Sequence, residues 1–189
     1  IKLFYACSSH IYNDTLTNSQ NEKTSPKFKS NYSLVKYLGK EICSFYRKIG
    51  VFCSVGILYS HVSKLSKKKF LIKDILSQIK NNKKKIKVLN YNSKIDLLSA
   101  SDAVNAIYKI MKLNYSDEFI ISSNKMVRVK DIFNKIVQIK NKKSLKLKNN
   151  KSKKKLINST ILKGKNNKLI KSTGWKQKDN LAAIIKEFI

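Results

Sequence analysis

The chain has 189 residues, of which 42% are hydrophobic, and it carries a formal net charge of +30. This hydrophobic content excludes a disordered chain, and no apolar run reaches the roughly 20 residues of a membrane span. Nearly all of the positive charge comes from lysines spread along the chain, and arginines able to read base edges are almost absent. We therefore expect neither nucleic-acid nor membrane binding, although such a charge would attract phosphorylated anions.

The first third of the chain predicts a strand, a loop, a helix and a second strand. Residues 1–7 form a strand-like apolar run that ends at the hydroxyl pair Ser8 and Ser9, and a polar, turn-rich loop follows. Apolar residues at helical spacing predict a helix over 32–48, and a β-rich run follows over 51–59. This order is typical of a parallel sheet with a right-handed crossover. Because the chain begins within a strand-like run, we expect it to be a fragment that lacks an N-terminal part.

The rest of the chain continues to alternate between helices and strands, which is typical of an α/β protein. The pattern predicts helices over 70–81, 100–113, 128–140, 166–172 and 178–189 and strands over 86–90 and 118–122. Over 141–155, a lysine- and asparagine-rich stretch without apolar periodicity predicts an exposed loop around one short strand. The five glycines form no glycine-rich phosphate loop, so the chain itself lacks the turn that cradles a dinucleotide.

The three cysteines, Cys7, Cys43 and Cys53, lie in apolar runs and include no CxxC pair. An odd number of cysteines without such a pair argues against a zinc site or a disulfide framework, and we expect no bound metal. We predict that they are buried free thiols of a protein in the reducing cytoplasm.

Tyr32 and Lys36 form the most informative local pattern, in the segment SNYSLVK. Residues four apart lie on one face of a helix, and an ammonium beside a phenol stabilises the phenolate. Tyr32 could therefore act as a general base or acid toward a substrate hydroxyl. In a lysine-rich chain the same spacing also arises by chance on a solvated helix face, so its meaning depends on the segments around it.

The order of strand, serine pair, loop, Tyr-x-x-x-Lys helix and strand resembles the short-chain dehydrogenase/reductase superfamily. Longer segments resemble one of its families, the GDP-mannose 4,6-dehydratases. YACSSHIYN at 5–13 is similar to the family's YQASTSELYG, QNE at 20–22 falls on its QKE, and GILYSHVS at 56–63 is similar to GILFNHES. Further similar segments cover 117–133 and 162–176, so the resemblance is collinear along most of the chain.

This resemblance implies the C-terminal portion of a Rossmann-like doubly wound parallel sheet, together with a small α/β substrate-binding region. Residues 1–60 would belong to the NADP-binding domain, and residues 61–189 mainly to the sugar-nucleotide-binding region, with some return to the sheet. The family converts GDP-mannose to a 4-keto-6-deoxy sugar with tightly bound NADP, so NADP, or NAD, is the implied cofactor. Family members pair through the Tyr-x-x-x-Lys helix, which implies a homodimer or homotetramer.

The resemblance also implies roles for individual residues. Ser8 takes the place of the catalytic threonine that bonds the C4 oxygen of the sugar, and Tyr32 would remove the C4 hydroxyl proton. Tyr32, Lys36 and His61 would hold the cofactor. A histidine beside a strand end can also be a packing residue, which is the alternative for His61.

Several positions depart from the family pattern. His10 falls on the catalytic glutamate that drives elimination, and Ile95 falls on an arginine expected near the nucleotide diphosphate. Ser66 falls on an arginine that contacts the cofactor. Ser9 and Lys155 would bind substrate, and Lys155 keeps the charge of the arginine it replaces without its bidentate fork.

These departures leave alternatives to a dehydratase open. The chain could belong to a sugar-nucleotide epimerase or reductase of the same superfamily, or it could be a noncatalytic remnant that binds an intact partner subunit. A basic nucleic-acid-binding protein is favoured by the net charge alone.

Overall fold

The computed structural model describes residues 1–13, 15, 17–149 and 161–189. The strands are β1 (Leu3–Ser8), β2 (Cys53–Leu58), β3 (Ser60–Val62), β4 (Lys85–Val88), β5 (Lys94–Ser99), β6 (Glu118–Ile121), β7 (Met126–Arg128) and β8 (Lys146–Asn149). The helices are α1 (Asn31–Lys48), α2 (Leu71–Lys80), α3 (Ala100–Met111), α4 (Val129–Ile139), α5 (Asn167–Thr173) and α6 (Leu181–Lys186), and a short 3₁₀ helix, Ser9–Tyr12, follows β1. Within these ranges, no helix combines the length and apolarity that a bilayer crossing would need.

Strands β1, β2 and β6 form a parallel sheet in the order β1-β2-β6. Along β2 and β6 both faces of this sheet are buried, as is usual for parallel strands covered by helices. On one face Val55 and Ile57 pack in a cluster with Cys43 of α1. On the other face Phe119 and Ile121 pack in a cluster that includes residues of α3 and α5. The prediction of a doubly wound parallel α/β sheet is therefore confirmed.

A second hydrophobic core lies among α2, α4, α6 and the remaining strands. Strand β5 pairs in parallel with β3 and antiparallel with β7, and β4 pairs in parallel with β8. The predicted boundary between residues 60 and 61 falls within β3, and β6 returns to the main sheet. The assignment of the two regions to cofactor and sugar nucleotide stays a prediction.

The predicted helices are all present, but the sequence patterns missed strands β3, β5 and β7. Two of these strands have only three residues each, which is too short for a periodicity. Strand β5 runs directly into α3, and its buried Asp96 interrupts the apolar run. Strand β8 is the short strand predicted within 141–155, of which residues 150–155 lie outside the described residues.

The last helix is shorter than predicted because the chain before it is held by a carboxylate. The backbone N–H groups of Lys178 and Asp179 each donate to Asp102 at 3.0 Å. Asp102 is buried at the start of α3, so residues 178 and 179 are fixed as an irregular segment. Asn180 then caps α6, which begins at Leu181.

The cysteines are buried free thiols, as predicted. Burial raises the pKa of the Cys7 thiol to about 11. Burial, together with a hydrogen bond to Cys53, raises the pKa of the Cys43 thiol to about 12. Both thiols are therefore protonated at neutral pH.

Asp96 links the two cores. It is 2% exposed, and its Oδ1 accepts hydrogen bonds from the Ser123 backbone N–H at 2.7 Å and the Ser123 hydroxyl at 2.6 Å. Its Oδ2 accepts from the Gly164 N–H at 3.1 Å. Burial raises the pKa of Asp96, and these hydrogen bonds oppose that shift. One carboxylate thus joins β5, the segment after β6 and the C-terminal segment.

The loop after the 3₁₀ helix is fixed to the C-terminal segment and to the edge of the main sheet. The Gln20 N–H donates to the Lys163 carbonyl at 2.8 Å, and the Gln20 carbonyl accepts from Lys165 at 2.7 Å. The Glu22 carboxylate accepts from the Ile120 N–H of β6 at 2.9 Å. Gln20 and Glu22 fall on the family's QKE segment. The contacts above give both residues a structural role.

We predict that Asp96→Ala destabilises the chain by about 3 kcal/mol or more, because it leaves buried N–H groups of Ser123 and Gly164 without acceptors. The measurement is urea unfolding followed by circular dichroism. Asp131→Ala is the matched control, since Asp131 is paired with Arg128 at the surface and its loss should leave the unfolding midpoint unchanged. Equal midpoints for the Asp96 variant and the unmodified chain would contradict the linking role.

Candidate active site

Ser8, Ser9 and His10 lie where β1 ends, at the carboxyl edge of the main sheet. Carboxyl ends of parallel strands are where doubly wound folds build their ligand sites. The Ser8 hydroxyl accepts a hydrogen bond from the His10 N–H at 3.3 Å and thereby caps the 3₁₀ helix. Ser8 and Ser9 are buried, whereas His10 keeps contact with solvent. The turn therefore presents two fixed hydroxyls and one accessible imidazole.

The first two turns of α1 position Tyr32 and Lys36. Ser30 and Ser33 form a reciprocal capping box that fixes the start of the helix. Gly39 permits close packing of α1 on β1, since any side chain there would collide with the Tyr5 ring. The start of α1 and its distance from β1 are therefore both fixed, and together they set the positions of Tyr32 and Lys36.

Lys36 reaches from α1 to the end of β1. Its ammonium donates to the Ala6 carbonyl at 2.8 Å and lies 5.9 Å from the centre of the Tyr32 ring. Tyr32 is 53% exposed, so its phenol is accessible to a ligand. The ammonium and the phenol thus lie on one face of the helix, as the spacing predicted. This face contacts the end of β1 through Lys36, so it is not a helix face exposed only to solvent.

The predicted site residues converge on one cavity of about 880 Å³, a volume within the usual range for ligand sites. Its lining includes Ser8, Ser9, His10, Tyr32, Lys36 and His61. Lys155 lies outside the described residues. None of the described residues that line the cavity is acidic. The described part of the chain contains no group of three or more His, Cys, Asp or Glu side chains that could hold a metal ion.

His10 stands beside Tyr32 at the cavity wall. The two rings are 5.8 Å apart between centroids and nearly perpendicular, at 87°. Partial burial lowers the pKa of His10, because desolvation disfavours the imidazolium. The imidazole is therefore neutral at pH 7 and has a lone pair to accept a proton.

His61 follows β2 on the short strand β3 and also lines the cavity. Its Nδ1 lies 3.0 Å from the Tyr59 carbonyl oxygen, which can only accept a hydrogen bond. This contact places the proton of the neutral ring on Nδ1 and leaves Nε2 as an acceptor. His61 is exposed rather than packed in the core.

Much of the remaining lining of the cavity is apolar. It includes Phe70, Ile95 and Leu97, and Ile95 offers no charge where the resemblance implies an arginine. Lys67 also lines the cavity, although it was not among the predicted site residues. It lies in the run Lys67–Lys69, in which nothing in the sequence pattern distinguishes one lysine from the next.

The family model described as "GDP-mannose 4,6 dehydratase" matches residues 1–188 of the chain. Among solved structures, RMD from Pseudomonas aeruginosa complexed with NADPH superimposes with a TM-score of 0.87 at 15% identity, over 98% of this chain and 64% of that one. The dTDP-glucose 4,6-dehydratase from Bacillus anthracis in complex with NAD gives a TM-score of 0.84 at 16% identity, over 100% of this chain and 61% of that one.

A UDP-glucuronic acid 4-epimerase from Bacillus cereus, in complex with UDP-glucuronic acid and NAD, gives a TM-score of 0.85 at 13% identity, over 98% of this chain and 59% of that one. These structures have the same fold as this chain. The chain spans less than two thirds of the length of each of them.

We predict that the His10 imidazole titrates with a midpoint below the usual value of about 6.5. Because folding lowers this pKa, His10 contributes stability that is present above pH 6.5 and is lost as the pH falls through the folded-state value. The measurement is an NMR titration of the imidazole C–H signals, assigned with the His61→Gln variant. A midpoint at or above 6.5 would contradict the partly desolvated position of the ring.

Proposed function

Because the chain belongs to the GDP-mannose 4,6-dehydratase family, we propose that its complete protein uses NADP, or NAD, to dehydrate GDP-mannose to its 4-keto-6-deoxy derivative. The observation that carries this proposal is the convergence of Ser8, Tyr32 and Lys36 on one cavity, with His10 and His61 beside them. Residues 1–60 would supply the cofactor side of the site, and residues 61–189 mainly the sugar-nucleotide side. We place the protein in the cytoplasm, a reducing compartment that suits its buried thiols.

The cavity residues fit a nicotinamide dinucleotide. The cavity is large, carries the cations Lys36 and Lys67, and has no acidic residue among its described lining residues, so it suits an anionic ligand with ribose hydroxyls. Tyr32, Lys36 and His61 would hold the cofactor, with the His61 Nε2 accepting a hydrogen bond from a hydroxyl or amide group. When bound, the nicotinamide would supply a hydride acceptor and donor.

Ser8 and Tyr32 would act on the sugar hydroxyl at C4. The Ser8 hydroxyl would donate a hydrogen bond to the C4 oxygen, and the Tyr32 phenol, in its ionised form, would take the hydroxyl proton. The Lys36 ammonium lies 5.9 Å from the Tyr32 ring centre, and both side chains line the cavity. In the dehydratase reaction the carbonyl formed at C4 persists in the product, so the Ser8 hydroxyl would keep its hydrogen bond to that oxygen.

His10 is the candidate for proton transfer at C5. Elimination of water across C5 and C6 needs a base, and the neutral imidazole beside Tyr32 supplies one. Ser9, at the same turn, and Lys155 would bind the sugar nucleotide.

A second candidate function is a sugar-nucleotide epimerase or reductase. The lack of a carboxylate among the described cavity residues favours it, because the family uses a glutamate for elimination. Hydride and proton transfer at C4 require only Ser8, Tyr32 and Lys36 from this chain.

We also propose that the protein pairs through α1. Large apolar side chains on this helix are exposed, among them Val35, Leu38, Ile42 and Phe45. A contiguous apolar patch of this kind usually marks an interface. A second copy of the same helix would cover it and give a homodimer, or a homotetramer with a further contact.

The decisive experiment is mass spectrometry of GDP-mannose incubated with the complete protein and NADP. Dehydration gives a product lighter by one water. We expect Tyr32→Phe to lower kcat by about 10²- to 10⁴-fold, the usual contribution of general acid–base catalysis. Tyr46→Phe on the same helix is the matched control, since Tyr46 is exposed and does not line the cavity.

Other outcomes separate the alternatives. A product of unchanged mass that separates from GDP-mannose by chromatography would indicate an epimerase, and a 4-keto substrate that gains a hydride from NADPH and a proton from water would indicate a reductase. A complete protein that binds NADPH and GDP-mannose but turns over neither would support a noncatalytic remnant and overturn the enzymatic proposal.

A further inference from the structure

Lys67 lies on the half of the cavity that is built by residues 58–100. Apart from His61, it is the only ionisable cationic side chain among the described lining residues of that half. Its neighbours there are apolar or hydroxyl-bearing, including Ser66, Phe70 and Ile95. The cationic character of this half of the cavity therefore depends on a single ammonium group.

The turn that carries Lys67 is held in place by local hydrogen bonds. The Ser63 N–H donates to the Ser66 hydroxyl at 3.1 Å, and the Leu65 N–H donates to the Ser63 hydroxyl at 3.1 Å. On the other side, the Phe70 N–H donates to the Lys67 carbonyl at 3.0 Å. The backbone of Lys67 is thus fixed at the cavity wall while its side chain extends from it.

The ammonium of Lys67 has no partner within the described part of the chain, where no hydrogen bond or ion pair involves it. Lys36 differs, because its ammonium already donates to the Ala6 carbonyl at 2.8 Å. Lys67 is therefore the cavity cation that is available to a ligand without breaking an existing contact.

We propose that Lys67 binds the diphosphate of the nucleotide sugar. This inference rests on the proposed function, and it assigns the anion contact to a lysine that lines the same cavity as Ile95, where the resemblance implies an arginine near the nucleotide diphosphate. A lysine ammonium acts as a point charge with three donors, which suits a diphosphate without requiring the planar fork of arginine. The carboxylate-free lining leaves this charge uncompensated.

The test is isothermal titration calorimetry of the complete protein with GDP-mannose, guanosine and NADPH. We expect Lys67→Gln to weaken GDP-mannose binding about tenfold, the loss of one charge-assisted hydrogen bond at an exposed site. Guanosine binding should be unchanged because guanosine has no phosphate, and Lys67→Arg should retain most of the affinity. The loss should shrink at high salt, since the contact is open to solvent.

Lys68→Gln is the matched control, because Lys68 is also exposed and does not line the cavity. Binding of GDP-mannose by Lys67→Gln within twofold of the unmodified protein, with turnover retained, would overturn the diphosphate contact and leave the proposed function standing. An unmodified protein that binds NADPH but not GDP-mannose would overturn both the contact and the proposed substrate.

Discussion

The hydrogen bond from the Lys36 ammonium to the Ala6 carbonyl joins helix α1 to the carboxyl end of β1, and the candidate site depends on this contact. It brings a side chain of the helix to the turn that carries Ser8 and His10. The absent side chain of Gly39 allows α1 to approach β1 closely enough for the lysine to reach. If the helix moved outward by the size of one side chain, Tyr32 would leave the serine hydroxyls.

The rest of the chain supports this edge of the sheet through buried polar groups. Asp96 and Asp102 each accept hydrogen bonds from backbone N–H groups of distant segments, so they fix the C-terminal part of the chain against the strands and α3. The described residues contain no buried side-chain nitrogen or oxygen without a hydrogen-bond partner. Such complete hydrogen bonding is expected where polar groups are removed from water.

The sequence allowed much of the fold and part of the site to be predicted. Tyr32 and Lys36 were found through helical spacing, and Ser8 through its place at a strand end, because these follow from local geometry. Strand β5 was missed because Asp96 interrupts its apolar sequence pattern. Asp96 is buried because residues distant in the chain, Ser123 and Gly164, donate hydrogen bonds to it. The sequence could not identify Lys67 as a site residue, since only the tertiary structure shows that it lines the cavity whereas Lys68 and Lys69 do not. The role of each residue in chemistry depends on ligands, and it remains a proposal.

The hydrogen bond between Glu22 and the Ile120 N–H has a consequence for how copies of this protein behave at high concentration. An outermost strand with vacant amide groups is a template onto which a strand from another molecule can add, which starts aggregation. On β6 one such amide is already occupied by a carboxylate of the same chain. The negative charge and the bulk of the Glu22 side chain at this edge both obstruct the backbone of a strand from another molecule. A residue that does not line the cavity thereby helps to keep the sheet from growing between molecules.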